Sequence, residues 1–325
     1  MCYNLINMYH IIANPNAGVK KGAKVIKKLE TYLKAENIPY TLYMTEKDEH
    51  AIEIATEICE NHIDDDVINI VAVGGDGTFN EVINGIVEFE KVNLGLIRAG
   101  RGNDFARFAR IPKNPVEAFK AIEADHRRKI DIYHINEERY GLNVVGTGFD
   151  IEILRRHAKA RIFKKGKLGY LMALFGMLPK FKPYKISYSV DDSEPEYQSV
   201  FFVAAGNGRS FGGGMKIAPD ASVFDGKLNF VVLPMVKKWR IPFLLPSFLS
   251  GRYLKKGIAK QHLCREIKVS FTDGSDEMPV NTDGQIINTS FNIKVVPARL
   301  NLFCTERFIT ENMMKDKDDS NYLSQ

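Results

Sequence analysis

Residues 67–78 read VINIVAVGGDGT. A nearly continuous apolar run passes directly into three glycines set around an aspartate. Such a run fits a parallel strand covered on both faces. A glycine loop between a strand and a helix is where α/β proteins hold their ligands. Gly74, Gly75 and Gly77 lack Cβ, so a ligand can approach the backbone closely. Thr78 is placed to cap the following helix, and free N–H groups at a helix start favour phosphate. Asp76 is the odd element, because a carboxylate beside a polyphosphate is repelled unless it acts through a cation or grips a hydroxyl. The loop therefore points to a metal–nucleotide site, and it is neither a Walker A loop nor a GxGxxG fingerprint. A glycine turn with a capping Asp is the competing reading.

The flanking sequence supplies the fold. MYHIIA (8–13), PYTLYM (39–44) and NLGLI (93–97) have strand character. KGAKVIKKLETYLKAE (21–36) has helical spacing, with Val25, Ile26, Leu29 and Leu33 on one face. DEHAIEIATEICENH, TFNEVINGIVEF and NPVEAFKAIEA continue the alternation. The expectation is a doubly wound α/β nucleotide-binding domain over residues 1–130. From KIDIYHI (129–135) onward strands dominate: RYGLNVVG, YKISYSV, EYQSVFFVAAG, KLNFVVL, LCREIKVSF, MPVNT and SFNIKVV. Residues 131–297 are therefore expected to form a β-sandwich. Two helical pieces interrupt it, KLGYLMALFGMLPKF and RIPFLLPSFLSG. Residues 298–310 are expected to pack back on the first domain, and 311–325 to form a mobile polar tail.

A length of 325 residues suits two domains. No run of 18 apolar residues occurs, so no transmembrane helix is expected. The first residues, MCYNLINMYHII, lack the pattern of a signal peptide, and the first strand pattern begins at Met8. Cys2, Cys59, Cys264 and Cys304 stand far apart with no CxxC, as expected for reduced thiols in a cytoplasmic protein. The net charge of +5 is unevenly spread. Arg155 to Lys185 holds ten Lys/Arg and no acid, and Gly226 to Arg265 holds nine and no acid. These are either solvated faces or surfaces for an anionic partner.

The glycine loop has two companions. The first strand ends in ANPNAG (13–18), and the fourth in RAGRGNDFAR (98–107), a loop with an Asp at a helix start. Three such loops at the carboxyl ends of one sheet are poorly explained by turn chemistry alone. Near the end of the chain, VNTDGQIIN (280–288) is a hairpin turn with Gln285 on its far side.

NPNAG, the threonine in YMTEKDEHA, GGDGTFNEV, GRGNDFAR, KIDI, GKLGY, the GGG…APDAS…DGKL segment and TDGQ occur in this order along nearly the whole chain to about Pro297. With these pieces the sequence resembles the diacylglycerol kinase catalytic-domain family, in its bacterial soluble lipid-kinase branch. GGDGT alone is shared with NAD kinases. Its combination with GND and a late DG turn is far more specific. The resemblance implies two domains, an NAD kinase/diacylglycerol kinase-like α/β domain and a β-sandwich, with the active site between them. It implies ATP on Asn14, Pro15, Asn16, Ala17, Gly18, Thr45, Gly74, Gly75, Asp76, Gly77, Thr78, Arg101, Gly102 and Asn103. It implies a carboxylate network of Asp76, Asp104 and Asp131, bridged by water to a catalytic Mg2+, with Arg107 beside it. It also implies a structural Mg2+ held by Asp225 and by backbone carbonyls near Ser222 and Lys227. Basic residues near 161–167, Lys167 among them, are candidates for phosphate or headgroup contacts.

Two positions depart from the family pattern. Arg101 stands where a small hydroxyl residue is usual, which bears on nucleotide preference. Gln285 stands where the family has the Glu thought to deprotonate the lipid hydroxyl. An amide cannot do so. Three readings stay open: a slow or retuned kinase, a kinase using another base such as Asp283, and a nucleotide-binding protein without turnover. The expected activity is Mg2+- and ATP-dependent phosphorylation of a diacylglycerol-like lipid. The alternatives are a nucleotide- or lipid-binding regulator and, behind it, an NAD kinase. Expected partners are a lipid substrate met at the inner face of a membrane and no nucleic acid, with a homodimer left open. GYLMALFGMLPKFKPYK and RIPFLLPSFLSGRYLKK, apolar with basic flanks, are the segments suited to peripheral membrane contact.

Overall fold

A computed structural model describes residues 8–149, 151–152, 176–272, 278–283, 285–289 and 291–312. Lys167, the GKLGY segment, the rest of 153–175, Gly284 of the TDGQ turn, Cys2 and the tail from 313 lie outside the described residues. The chain forms two compact units, Met1–Ile132 with Pro297–Gln325, and Tyr133–Val296.

In the first unit the strands are β1 (Tyr9–Ala13), β2 (Tyr40–Met44), β3 (Ile68–Gly74), β4 (Val92–Arg98) and the start of β5 (Arg127–Ile135). The helices are α1 (Ala17–Ala35), α2 (His50–Asn61), α3 (Asp76–Asn84), α4 (Asp104–Phe108) and α5 (Pro115–Glu123). The parallel strands run in the order β2-β1-β3-β4. Every residue of β3 is buried, which is why its sequence shows no alternation. The order reverses direction between β1 and β3. Right-handed crossovers then place α1 on one face of the sheet and α2 and α3 on the other. α5 joins α1, with Tyr9 and Phe119 in edge contact at 5.1 Å and the Tyr32 hydroxyl donating to Glu123 at 2.8 Å. Gly85 ends α3 against α2, where a Cβ would lie 2.4 Å from the Ile52 carbonyl oxygen.

The second unit is antiparallel. It holds β6 (Arg139–Gly141), β7 (Val144–Gly148), β8 (Tyr184–Val190), β9 (Glu196–Gly206), β10 (Ser210–Phe211), β11 (Met215–Lys216), β12 (Leu228–Pro234), β13 (Lys260–Cys264), β14 (Glu266–Phe271), β15 (Met278–Thr282), β16 (Gln285–Thr289) and most of β17 (Phe291–Phe303). RYGLNVVG, read as one strand, is two, β6 and β7. Residues of β9 and β12 alternate between two cores. Val203, Ala205, Phe230 and Val232 pack with Ile186, Tyr188, Ile267 and Phe291. Phe201, Ala204, Val231 and Leu233 pack instead with Phe149, Phe181 and residues of α6 (Ile241–Ser250) and α7 (Arg252–Lys255). Burying both faces of these strands requires the continuous apolar runs their sequences show, and the register shift opposite Leu233/Pro234 puts Phe201 in the same core as Ala204.

β17 continues past Pro297, where sequence reading ends the strand. Pro297 lacks an N–H, and Ala298 takes a left-handed conformation (φ 49°). From there the strand serves the first unit, pairing Asn301 and Leu302 with Asn93 and Leu94 of β4 in parallel. The described cysteines, Cys59, Cys264 and Cys304, are free and buried. Burial pushes the thiols of Cys264 and Cys304 up to about 12, leaving them unreactive.

Candidate active site

All four parallel strands end at the same edge of the sheet, and their registers align Ala13 with Met44 and Val73, and Gly74 with Arg98. The turn between β1 and β3 is the crevice where α/β ligands bind. Asn14 donates its backbone N–H to Val73 at 2.9 Å, and Thr45, buried after β2, donates its own to Ala13 at 2.9 Å. The Asn14 side chain turns the chain into α1 by accepting the Asn16 N–H at 2.9 Å. Pro15 leads into the turn, Ala17 donates to the Asn14 carbonyl at 3.2 Å, and Gly18 is left-handed (φ 61°). The first loop is thereby fixed against the second.

The second and third loops are joined backbone to backbone. The Gly74 carbonyl accepts from Ala99 at 2.6 Å and from Gly100 at 2.9 Å. A Cβ on Gly100 would lie 2.5 Å from the Gly75 Cα, so neither loop could carry a side chain there. Thr78 is not the cap expected of it. Gly75 is extended (φ −112°, ψ −171°), the helix starts at Asp76, and Thr78 sits buried in the first turn. Its hydroxyl instead accepts from the Asn14 amide at 3.4 Å, tying the first loop to the second.

Asp76 and Asp104 come together at Gly102. A Cβ on Gly102 would meet Asp76 Oδ2 at 2.9 Å and Asp104 Oδ2 at 3.2 Å. Asp76 Oδ1 also accepts the Phe105 N–H at 3.2 Å, which locks the start of α4 to the GGDG loop. Asp104 is buried, and Arg107 donates to its carboxylate at 2.5 Å and to the Gly102 carbonyl at 2.9 Å. Arg98 lies close behind, its pKa lowered first by burial and then by the Arg107 guanidinium. Two carboxylates with two guanidiniums alongside are a donor set suited to Mg2+ carrying phosphate, since Mg2+ is held by one or two carboxylates and completes its shell with water and phosphate.

Two further observations fit a nucleotide. A Cβ on Gly77 would meet nothing within 4 Å, although Gly77 has no left-handed conformation to require glycine. The buried Asn103 Oδ1 has no hydrogen-bond partner among the described residues, while the Asn103 amide donates to Gly100 at 2.7 Å from a left-handed backbone (φ 49°). Arg101 is exposed at the tip of this loop.

Asp131 has a backbone partner of its own. Among the described residues no three His, Cys, Asp or Glu side chains gather tightly enough to hold a metal. Asp131 is buried in β5 and accepts the Ala298 N–H at 2.8 Å, securing β17 where Pro297 interrupts it. The paired carboxylates are Asp76 and Asp104.

In the second unit Gln285 opens β16 opposite Thr282. Its amide oxygen accepts from the Arg139 guanidinium at 3.3 Å. Arg139 was not legible as a site residue, for it lies 146 positions away in an ordinary strand pattern. Asp283, the alternative base, is buried with a left-handed backbone (φ 49°). Its two oxygens accept the Leu142 and Val144 N–H groups at 3.2 and 3.3 Å. Both carboxylate oxygens of Asp283 are thereby engaged by the backbone leading from β6 into β7. At the proposed structural cation site, Asp225 Oδ1 accepts the Lys227 N–H at 3.0 Å and Ser222 Oγ accepts the Phe224 N–H at 3.3 Å, around left-handed Gly226. One carboxylate among backbone carbonyls has the hard-oxygen chemistry a Mg2+ would use.

Comparison with known proteins gives the same two parts. Residues 8–135 match the Diacylglycerol kinase catalytic domain, and residues 143–304 match the YegS C-terminal NAD kinase beta sandwich-like domain. A diacylglycerol kinase of Staphylococcus saprophyticus is 28% identical over 277 residues, covering 85% of this chain and 88% of that protein. One of Staphylococcus aureus is 27% identical over 277 residues, covering 85% of each. A crystal structure of a diacylglycerol kinase from Bacillus anthracis superposes with a TM-score of 0.71 at 24% identity, covering 94% of this chain and 99% of that one. At that identity the superposition speaks to the fold.

Proposed function

The chain belongs to the diacylglycerol kinase catalytic-domain family, and from that premise we propose that it is an ATP- and Mg2+-dependent kinase acting on a hydroxyl of a diacylglycerol-like lipid. The observation that carries this reading is the convergence of Asp76 and Asp104 at Gly102, on the edge where three glycine loops meet. In the reaction the lipid hydroxyl oxygen bonds the γ-phosphorus of ATP. The bond from that phosphorus to the β-phosphate bridging oxygen breaks, ADP leaves with the electron pair, and the hydroxyl proton goes to solvent or a base. Mg2+, held through Asp76 and Asp104, would offset charge on the β- and γ-phosphates. The chain's part is mainly positioning. Backbone N–H groups at the start of α3 face the phosphates, and Arg107, braced by Asp104, supplies a fixed positive charge. We place the enzyme in the cytoplasm, peripheral on the inner face of the membrane.

Gly77 tests where the nucleotide lies. Gly77→Ala should leave the melting temperature unchanged or slightly raised, because alanine is worth up to about 1 kcal/mol over glycine in a helix. Its methyl group would occupy the space we assign to phosphate, so the KM for ATP should rise at least about tenfold. An unchanged KM, read from initial rates over an ATP series, would move the nucleotide elsewhere.

Gln285 is the residue we assign to the acceptor hydroxyl. Arg139 fixes the orientation of the Gln285 side chain through its amide oxygen, and an amide can orient the hydroxyl but cannot remove its proton. Phosphoryl transfer depends mostly on positioning and charge, so turnover is expected to be slow rather than absent. Gln285→Glu should raise kcat about 10²-fold, toward the usual worth of a general base. A second reading, a binding protein without turnover, is favoured by the same amide. It gains if wild type is inactive on diacylglycerol, sphingosine and NAD while Gln285→Glu phosphorylates lipid.

A further inference from the structure

α6 is anchored by one face and bare on the other. Ile241 and Phe248 are buried, and the Phe248 ring lies 4.7 Å from that of Tyr253, whose hydroxyl donates to the Ile217 carbonyl at 2.6 Å. Phe243, Pro246 and Ser250 follow one another at spacings of three and four residues and share the opposite face, and Trp239 stands in the 3-10 turn (Lys238–Arg240) that leads into the helix. Trp239 is 67% exposed and Phe243 77%. Leu249 is exposed next to them.

The charge around this face has one sign. Lys237, Arg240, Arg252, Lys255 and Lys256 are exposed and form no ion pair with a described residue. No acid occurs from Gly226 to Arg265. No helix among the described residues is long and apolar enough to cross a membrane. An apolar helix face edged by cations and headed by tryptophan has the make-up of a segment lying in a lipid interface. Pro246 and Leu249 have neither an aromatic ring to stack on a base nor a donor for phosphate, which sets this face apart from a single-strand binding platform.

We propose that Trp239, in the turn before α6, and the exposed Phe243 and Leu249 of α6 dock the protein on an anionic phospholipid bilayer. The two rings enter the boundary between headgroups and acyl chains, and the five cations lie at the lipid phosphates. The proposal deepens the lipid-kinase reading and rests on it for its purpose. Binding to vesicles without nucleotide is nevertheless measured apart from turnover on lipid in detergent micelles, so either can fail alone.

Trp239 is the only tryptophan in the chain, so its fluorescence reports on this face alone. Vesicles of mixed phosphatidylglycerol and phosphatidylcholine should shift its emission to shorter wavelength, and acyl-brominated lipid should quench it. Pure phosphatidylcholine should do neither, and high salt should reverse the binding. Each cation near such a surface is worth about fivefold in affinity. The Lys237→Glu/Arg240→Glu double variant should therefore bind at least about a hundredfold more weakly, and Phe243→Ser at least about tenfold. Both should melt as wild type does, since the altered side chains are exposed. Equal response to neutral and anionic vesicles, or none to either, overturns the proposal. So does a shift given by a single-stranded oligonucleotide but not by vesicles, or one that grows with protein concentration alone.

Discussion

Asp76→Asn is expected to lower phosphoryl transfer about 10³-fold without unfolding the protein. Asparagine keeps the oxygen that accepts the Phe105 N–H, so the lock between the GGDG loop and α4 survives. What it removes is one of the two negative charges that converge at Gly102. A site that holds Mg2+ through two carboxylates loses much of its affinity with one of them. Raising Mg2+ should therefore recover part of the activity. The check is kcat at saturating ATP over a Mg2+ series, with a thermal melt beside it. Wild-type turnover in the variant would remove Asp76 from the metal site. Asp104→Asn is a less clean test, because it also releases Arg107, which Asp104 holds in place.

Gly18→Ala should destabilise the first unit by more than about 3 kcal/mol, lowering its melting temperature by about 6–12 °C. The left-handed backbone at Gly18 costs an alanine about 1–2 kcal/mol. The new Cβ would also lie 2.3 Å from the Ala99 carbonyl oxygen. Ala99 cannot readily retreat, because its own N–H bonds Gly74 at 2.6 Å. Strain at one loop therefore spreads to the other two. Calorimetry on the intact chain measures it, and an unchanged melt would show that the loops are not interlocked. Gly77→Ala is the contrast: it is predicted to fold normally and to fail only at the nucleotide.

The parts of the molecule that follow from near neighbours were legible in the sequence. β3 announces itself by its unbroken apolar run, and the three glycine loops follow from strand–turn–helix punctuation. Details set by the backbone path were not. Thr78 looked like a cap because it precedes the helical pattern, yet the extended backbone at Gly75 starts the helix three residues earlier. Pro297 looked like the end of a strand, but the lost donor and the left-handed residue after it are accommodated by Asp131, 167 positions away. Arg139 had no local signature, since its meeting with Gln285 is set by the pairing of β6 with β5 and of β16 with β15 rather than by its neighbours.

The most direct measurement is transfer of labelled γ-phosphate from ATP to diacylglycerol in mixed micelles with Mg2+, run on wild type, Gln285→Glu and Asp76→Asn together. The predicted result is labelled phosphatidic acid at a low rate with wild type and a higher rate with Gln285→Glu, and almost none with Asp76→Asn. Labelled lipid from neither wild type nor Gln285→Glu would contradict the assignment of this chain as a diacylglycerol-type lipid kinase.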